Sequence, residues 1–381
     1  MKKTFSIRTD IVFGPGAMNA LDAVREKPVL LVTDSFLSRS PLAEQVMAHL
    51  ESCRVTLFDR VVPDPPVEVV AAGVEVLRAS RAAALVALGG GSSLDTAKAI
   101  RAVAARMDGF DGGAMPLYAI PTTSGSGSEV TDAAVITHRV EGVKYPLLGA
   151  ELRPDVAILD PALVMTVPPH VTADTGMDAL AHAIEAYVAK DANDFTDALA
   201  EKAAALVLEN LPAAYGDGAN ASARERLHNA SCLAGLAFNT AGLGLVHGMA
   251  HALGGRFHVA HGRLNAVLLP AVIRFNAGLD GRPHGPEAEA AAEKYRRLAR
   301  VLGMPADAPQ VGTHHLIRTI QRLNRILGIP ASLKGLGIEK AELLAAGRDI
   351  AENARNDATT AWNPRPVSEQ DVLRILQRVT G

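Results

Sequence analysis

His247-Gly-Met-Ala-His251 and Asp178-Ala-Leu-Ala-His182 repeat one spacing, two potential metal ligands four positions apart in an alanine-rich stretch. On a helix each pair shares a face. Imidazole combined with a carboxylate suits a divalent cation, either zinc or ferrous iron. His258 and His261 follow in what reads as a glycine-containing loop, Gly254–Gly262. Asp178, His182, His247 and His261 are therefore expected to converge as one oxygen and three nitrogen ligands. A single pair of this kind is more often a helix-surface ion pair. Two pairs in otherwise apolar helices need buried partners, and a cation supplies one. His251, a turn beyond His247, is the imidazole placed to carry a proton beside such a centre. His258 stays open, and His138, His228, His314 and His315 read as structural or solvated.

A second group of residues suits a phosphorylated coenzyme. Gly89-Gly90-Gly91-Ser92-Ser93-Leu94-Asp95-Thr96-Ala97-Lys98 follows an apolar run. Successive glycines let backbone amides approach an anion, and a helix start adds its dipole. Ser92 and Asp95 also have the spacing of a capping box. A tight turn before a helix would use the same glycines. Asp34 closes an early strand, where a carboxylate can hold a ribose 2′-hydroxyl and repel a 2′-phosphate. An Asp at an ordinary strand-to-helix turn looks no different. The loop Pro121–Glu129 adds hydroxyls and glycines between the anchors Ile120 and Val130. A nicotinamide beside a Lewis acid makes one reaction simple: hydride exchange between an alcohol carbon and the coenzyme ring.

The elements that must hold these residues change character along the chain. Strands are expected at Pro28–Asp34, Val55–Val62, Ala83–Leu88 and Leu117–Pro121, alternating with helices over Leu42–Leu50, Val67–Ser80 and Ser93–Ala105. That alternation implies a parallel sheet covered on both faces. Beyond Pro168-Pro169 the apolar spacing becomes helical, over Ala173–Val188, Asp194–Leu211, Ala221–Gly235, Gly242–Gly254, Pro286–Leu302, His314–Leu327, Ile338–Asn353 and Ser368–Thr380. The expected organisation is an α/β domain over 1–169 and an all-helical domain over 170–381, and a small-molecule site is most often built in a cleft between domains.

Composition removes other classes. The 381 residues are 48% hydrophobic, which argues against disorder. A formal net charge of -3 and only 4% aromatic residues do not fit nucleic-acid binding. No apolar run approaches the roughly 20 residues of a membrane span, and the polar start Met1–Asp10 does not read as a secretory signal. Cys53 and Cys232 form no metal or disulfide pattern. A reducing cytoplasm is the expected location.

The segments Gly89–Lys98, Pro121–Thr131, Gly176–Tyr187, His247–Gly262 and Asn363-Pro364-Arg365-Pro366 together resemble the iron-dependent (group III) alcohol dehydrogenases. Within that family Gly142–Leu147, Asp194–Ala204 and His228–Ser231 resemble most closely the 1-propanol dehydrogenases of bacterial microcompartments. The resemblance implies a Rossmann-like, parallel-sheet coenzyme domain and an all-α metal domain, a dehydroquinate synthase-like architecture. It implies NAD(H) and Fe2+, with Zn2+ as the alternative, and the ligands Asp178, His182, His247 and His261. Coenzyme contacts fall on Asp34, Asp64, Gly90, Gly91, Ser92, Thr122, Thr123, Thr131 and Lys144. His251 takes the proton-transfer role and Phe238 lines the substrate pocket. Ser126 stands where the family usually has Thr, and Asp64 where several members have Asn.

The activity implied is interconversion of a short aldehyde, propionaldehyde first, and its primary alcohol, by a homodimer or higher oligomer. A microcompartment shell and its other enzymes are the implied surroundings. Two other readings use the same residues: a polyol or hydroxyaldehyde dehydrogenase of this fold, and a metallohydrolase whose glycine loop is only structural. A non-catalytic scaffold would have no use for two histidine-bearing helices.

Overall fold

The computed structural model describes residues 4–107, 115–138, 143–282 and 284–381, with the side chains of Val143 and Lys144 outside that set. The chain divides into two compact units, Met1–Val167 with Ala219–Gly235, and Pro168–Gly218 with Leu236–Gly381.

Among the described residues the first unit holds strands β1 (Asp10–Phe13), β2 (Pro28–Asp34), β3 (Arg54–Val61), β4 (Ala84–Gly89), β5 (Leu117–Pro121), β6 (Ala133–His138), β7 (Val143–Leu148) and β8 (Val156–Leu159). Six form one parallel sheet in the order β1-β8-β5-β4-β2-β3, while β6 and β7 pair antiparallel. The apolar runs explain the placement of the central strands. Val29 and Leu31 of β2 enter one core with Val86 and Leu88, and Leu30 and Val32 enter the other with Leu85 and Ala87. A strand buried on both faces has no polar side to alternate with. Helices α1 (Pro41–His49), α2 (Val67–Ser80) and α3 (Gly91–Ala104) connect these strands. From β2 the chain moves outward to β3, then crosses back to β4 and on to β5. The winding therefore reverses between β2 and β4. Asp34 and Gly89 end those two strands, at the switch point where open α/β sheets take ligands.

The strands expected from sequence are β2 to β5. With four residues each, β1 and β8 are too short to show a period, and sequence reading also passes over β6 and β7, which lack the unbroken apolar run of the central strands.

Nine helices follow among the described residues: α4 (Pro169–Val188), α5 (Asp194–Gly216), α6 (Ala221–Ala241), α7 (Leu245–Phe257), α8 (His261–Asn276), α9 (Pro286–Val301), α10 (Pro309–Ile326), α11 (Lys340–Asn356) and α12 (Glu369–Val379). Of α6, the residues up to Gly235 belong to the first unit. Local chemistry sets several ends. Asn193 and Ser368 cap α5 and α12 through capping boxes. His258 stops α7 in a left-handed conformation, φ 55°. One helix escapes sequence reading. The α8 segment from Leu264 to Ile273 is almost wholly apolar and contains Pro270, so it has neither an amphipathic period nor an uninterrupted helical signal. No single helix among the described residues is long and apolar enough to cross a membrane.

Candidate metal centre and coenzyme loops

Three helices of the second unit bring the sequence-marked ligands together. Asp178 and His182 lie a turn apart on α4, His247 near the start of α7, and His261 at the first position of α8. Gly262 permits the approach of α8 to α4, because a Cβ there would run into the Asp174 carbonyl. Asp178 Oδ1 is 3.7 Å from His247 Nε2, 3.5 Å from His261 Nε2 and 3.9 Å from His182 Nε2. The donor atoms of Asp178, His247 and His261 all lie within 4.8 Å of one another. Donors bound at about 2.1 Å to a tetrahedral cation stand roughly 3.4 Å apart, so this spacing fits a divalent metal. His182 borders the trio, its ring stacked on His247 at a centroid distance of 4.5 Å.

The electrostatics favour a cation at the same point. Burial alone would raise the Asp178 carboxyl, but the imidazoles of His182, His261 and His247 hold it well below the usual carboxylate range. Burial would lower His247, yet its bonds to Asp178 and Glu185 push it up to about 9. Burial drives His261 far below its ordinary value. Two buried carboxylates thus draw positive charge into a cluster whose imidazoles resist carrying it all themselves.

Three residues that sequence reading overlooks hold the trio and the neighbouring His251. Glu185, one turn beyond His182 on α4, accepts from His247 Nδ1 at 2.6 Å. Asn265, a turn beyond His261, sets its amide nitrogen 2.8 Å from Asp178 Oδ1, 3.2 Å from His247 Nε2 and 3.1 Å from His261 Nε2. Both signals were local: a carboxylate and an amide inside apolar helical runs. Asp357 binds His251 Nδ1 at 2.9 Å from 106 residues away, a separation that no spacing rule reaches. His251 itself stacks on His261 at 5.1 Å between centroids. Phe238, on α6, lies against the His182 ring at 4.5 Å.

The first unit holds the expected coenzyme residues. Asp34 Oδ1 accepts the amides of Phe36 and Leu37, both at 2.9 Å, which fixes the carboxylate at the end of β2. Gly89, at φ +148°, leads into Gly90 and α3, and no side chain caps that helix start. The expected Ser92/Asp95 capping box is not formed. Asp95 turns away to accept from Ser128 Oγ at 2.6 Å and from the Val135 amide at 2.9 Å. Thr122 donates its amide to the Gly89 carbonyl at 3.0 Å. A Cβ on Gly90 would lie 3.4 Å from Thr123 Oγ1, and one on Gly91 3.1 Å from Ser126 Cβ, so the hydroxyl-rich loop packs over the glycines.

That loop is held from beneath. Lys98 Nζ is wholly buried and donates to Ser128 Oγ at 2.7 Å, Thr131 Oγ1 at 3.0 Å and the Ala133 carbonyl at 2.9 Å. Burial lowers Lys98 to about 8 despite Asp95, Glu129 and Asp132, and raises Glu129 to about 7. Thr131 is thus committed to the lysine. Asp64 is an exposed residue in a left-handed conformation, φ 51°. Lys144 is a β7 position whose side chain lies outside the described set.

Comparison with known proteins fits both halves. Residues 8–161 match the iron-containing alcohol dehydrogenase family, and residues 172–380 match the C-terminal part of the Fe-containing alcohol dehydrogenase family. The chain belongs to the iron-containing alcohol dehydrogenase family. It is 41% identical over 379 residues to the 1-propanol dehydrogenase PduQ of Salmonella typhimurium, covering 99% of each chain. Among solved structures, 1,3-propanediol oxidoreductase superposes with a TM-score of 0.90 at 34% identity, with 100% of both chains covered. The sulfoacetaldehyde reductase of Bifidobacterium kashiwanohense, solved with NAD+, gives 0.85 at 28% identity, covering 100% of this chain and 99% of that one.

For an iron-type alcohol dehydrogenase the substrates are an alcohol and its aldehyde. The second unit offers converging donor atoms that could hold a cation, with the His251 imidazole stacked beside them.

Proposed function

We propose that this iron-type alcohol dehydrogenase interconverts a short-chain aldehyde and its primary alcohol with NAD(H), propionaldehyde and 1-propanol foremost. The observation that carries the reading is the convergence of Asp178 Oδ1, His247 Nε2 and His261 Nε2 on one point. With His182 they would hold Fe2+, or Zn2+ in its place. When bound, the cation supplies Lewis acidity at the substrate oxygen. His251 carries the proton, with Asp357 fixing its ring, and Phe238 walls the substrate side. Gly90, Gly91 and Ser92 at the start of α3 cradle the pyrophosphate. Asp34 and Asp64 take the ribose, Thr122, Thr123 and Lys144 complete the coenzyme contacts, and Thr131 acts through Lys98 by holding the loop. In this reading residues 1–169 serve the coenzyme and 170–381 the cation.

Support for the substrate comes from the PduQ relationship over nearly the whole chain. The likeness to 1,3-propanediol oxidoreductase favours a second reading, a hydroxyaldehyde of the same length. Metal analysis of anaerobically purified protein, followed by NADH oxidation rates on a series of short aldehydes, tests both. Propanal should give the highest kcat/KM, and a higher value for 3-hydroxypropanal would select the second reading. Protein without one bound cation per chain would refute the metal assignment. The resemblance also supports a cytoplasmic homodimer or higher oligomer, enclosed with other enzymes in a microcompartment shell. Sedimentation of the purified chain and its recovery with isolated shells test those two points.

A further inference from the structure

The first turn of α7 lacks a side-chain cap of its own, because Gly244 precedes it. Its first amides, which no residue of the helix itself accepts, are met from elsewhere. Asn363 Oδ1 accepts from Leu245 N at 3.2 Å, and Glu185 Oε1 accepts from Val246 N at 2.7 Å. The other oxygen, Glu185 Oε2, faces His247, 3.4 Å from its backbone nitrogen and 2.6 Å from Nδ1. Glu185 is 3% exposed, so water cannot substitute for these donors. A Cβ on Gly244 would lie 2.7 Å from Glu185 Oε1, which explains the missing cap residue: its space belongs to the glutamate.

A carboxylate oxygen that faces only donors accepts their hydrogen bonds, and Glu185 has the Val246 amide on one oxygen and His247 on the other. The ring hydrogen of a neutral His247 must then sit on Nδ1. Its lone pair is on Nε2, the atom that faces Asp178 Oδ1 at 3.7 Å.

We propose that Glu185 is a positioning residue that sets the His247 tautomer and ring plane for cation binding. This rests on the metal reading given above. A carboxylate behind a ligating imidazole raises its basicity and fixes its orientation, and loss of such a partner typically lowers metal affinity by about 10- to 100-fold.

Glu185→Gln separates this role from simple helix capping. The amide keeps the shape but carries one donor end. Turned toward Nδ1, its NH2 forces the ring hydrogen onto Nε2. Turned the other way, it confronts the Val246 amide with a second donor. Zinc titrations against a competing fluorescent chelator, on metal-stripped protein, should show one tight ion per wild-type chain and affinity weakened by about 10- to 100-fold in E185Q. Affinity within twofold of wild type, with only a lowered melting temperature, would reduce Glu185 to a cap and overturn the proposal. If E185Q does not fold, zinc-loaded wild-type protein labelled with 15N-histidine gives the answer alone. His247 should carry hydrogen on Nδ1 with Nε2 shifted by zinc; the opposite assignment overturns the proposal. Failure of wild-type protein to take up zinc would instead remove the metal reading, and this inference with it.

Discussion

Asp357 Oδ2 lies 2.9 Å from His251 Nδ1 and is itself tied to the Thr359 amide and hydroxyl through Oδ1, at 2.8 and 2.6 Å. Burial would raise this carboxyl, but His251 and Thr359 hold it down at about 2. It is therefore ionised across the working pH range and accepts the Nδ1 hydrogen, which leaves Nε2 as the exchangeable end of the ring. Replacing His251 by Gln should lower kcat by about 10²-fold, the low end for a lost general acid or base, with bound metal retained. Asp357→Asn should lower kcat less and leave KM for the aldehyde nearly unchanged. Steady-state rates with metal content measured on the same samples check both, and equal loss of metal and activity in H251Q would make His251 a ligand instead.

His261→Ala removes one of the three atoms that converge with Asp178 and His247. The position begins α8 and is part-exposed, so the fold should survive. The variant should retain the far-UV spectrum of the parent, yet bind metal weakly and turn over at near-background rates. Full activity in this variant would refute the ligand assignment.

Asp34 tests coenzyme choice. Its Oδ1 is occupied by two backbone amides, so the carboxylate is fixed at the end of β2, where the proposed function has it meet the ribose. Asp34→Gly should shift the NADPH/NADH ratio of kcat/KM toward NADPH by about tenfold, equivalent to ~1.4 kcal/mol. A ratio unchanged from wild type would move the discrimination to another residue, Asp64 first.

Lys98 is the brace under the coenzyme loop. Lys98→Met keeps much of the side-chain volume but removes the donor to Ser128, Thr131 and Ala133, and it takes the cation 3.9 Å from half-buried Asp95 away. Leaving a buried acceptor without its donor costs about 1–3 kcal/mol, which a denaturant midpoint would register. The loosened loop should raise KM for NADH more than it lowers kcat.

How much of this was readable in advance depends on sequence distance. Asp178/His182 and His247/His251 announced themselves because a helix turns four residues into neighbours. Glu185 and Asn265 obey the same periodicity, three and four residues beyond a ligand, but a carboxylate or amide without a second histidine reads as an ordinary helix residue. Asp357 and Asn363 meet their partners only through tertiary packing. The same force defeated the Ser92/Asp95 capping box: the Ser128 hydroxyl and a strand amide bind Asp95 from outside its own helix. The central strands were legible from unbroken apolar runs, whereas α8 was hidden because an all-round apolar helix shows no face.

His228 links pH to the loop that carries Thr122 and Thr123. It sits in α6, wholly buried, with Nδ1 3.1 Å from Ser124 Oγ and Nε2 without a hydrogen-bond partner. Burial lowers it to about 4, against a weak opposing pull from Asp160. The sign follows from proton counting. Above about pH 6.5 neither the folded nor the unfolded chain protonates this ring, and stability is unaffected. Below it the unfolded chain takes up a proton that the folded chain refuses, so stability falls until the folded ring also titrates near pH 4. The full loss is about 3 kcal/mol, at 1.36 kcal/mol for each pH unit between the ordinary value and about 4. Melting temperature should thus decline between pH 6.5 and 4.5, and His228→Gln, which has no proton to gain, should flatten that decline. Parallel curves for the two proteins would show that other groups set the acid limit.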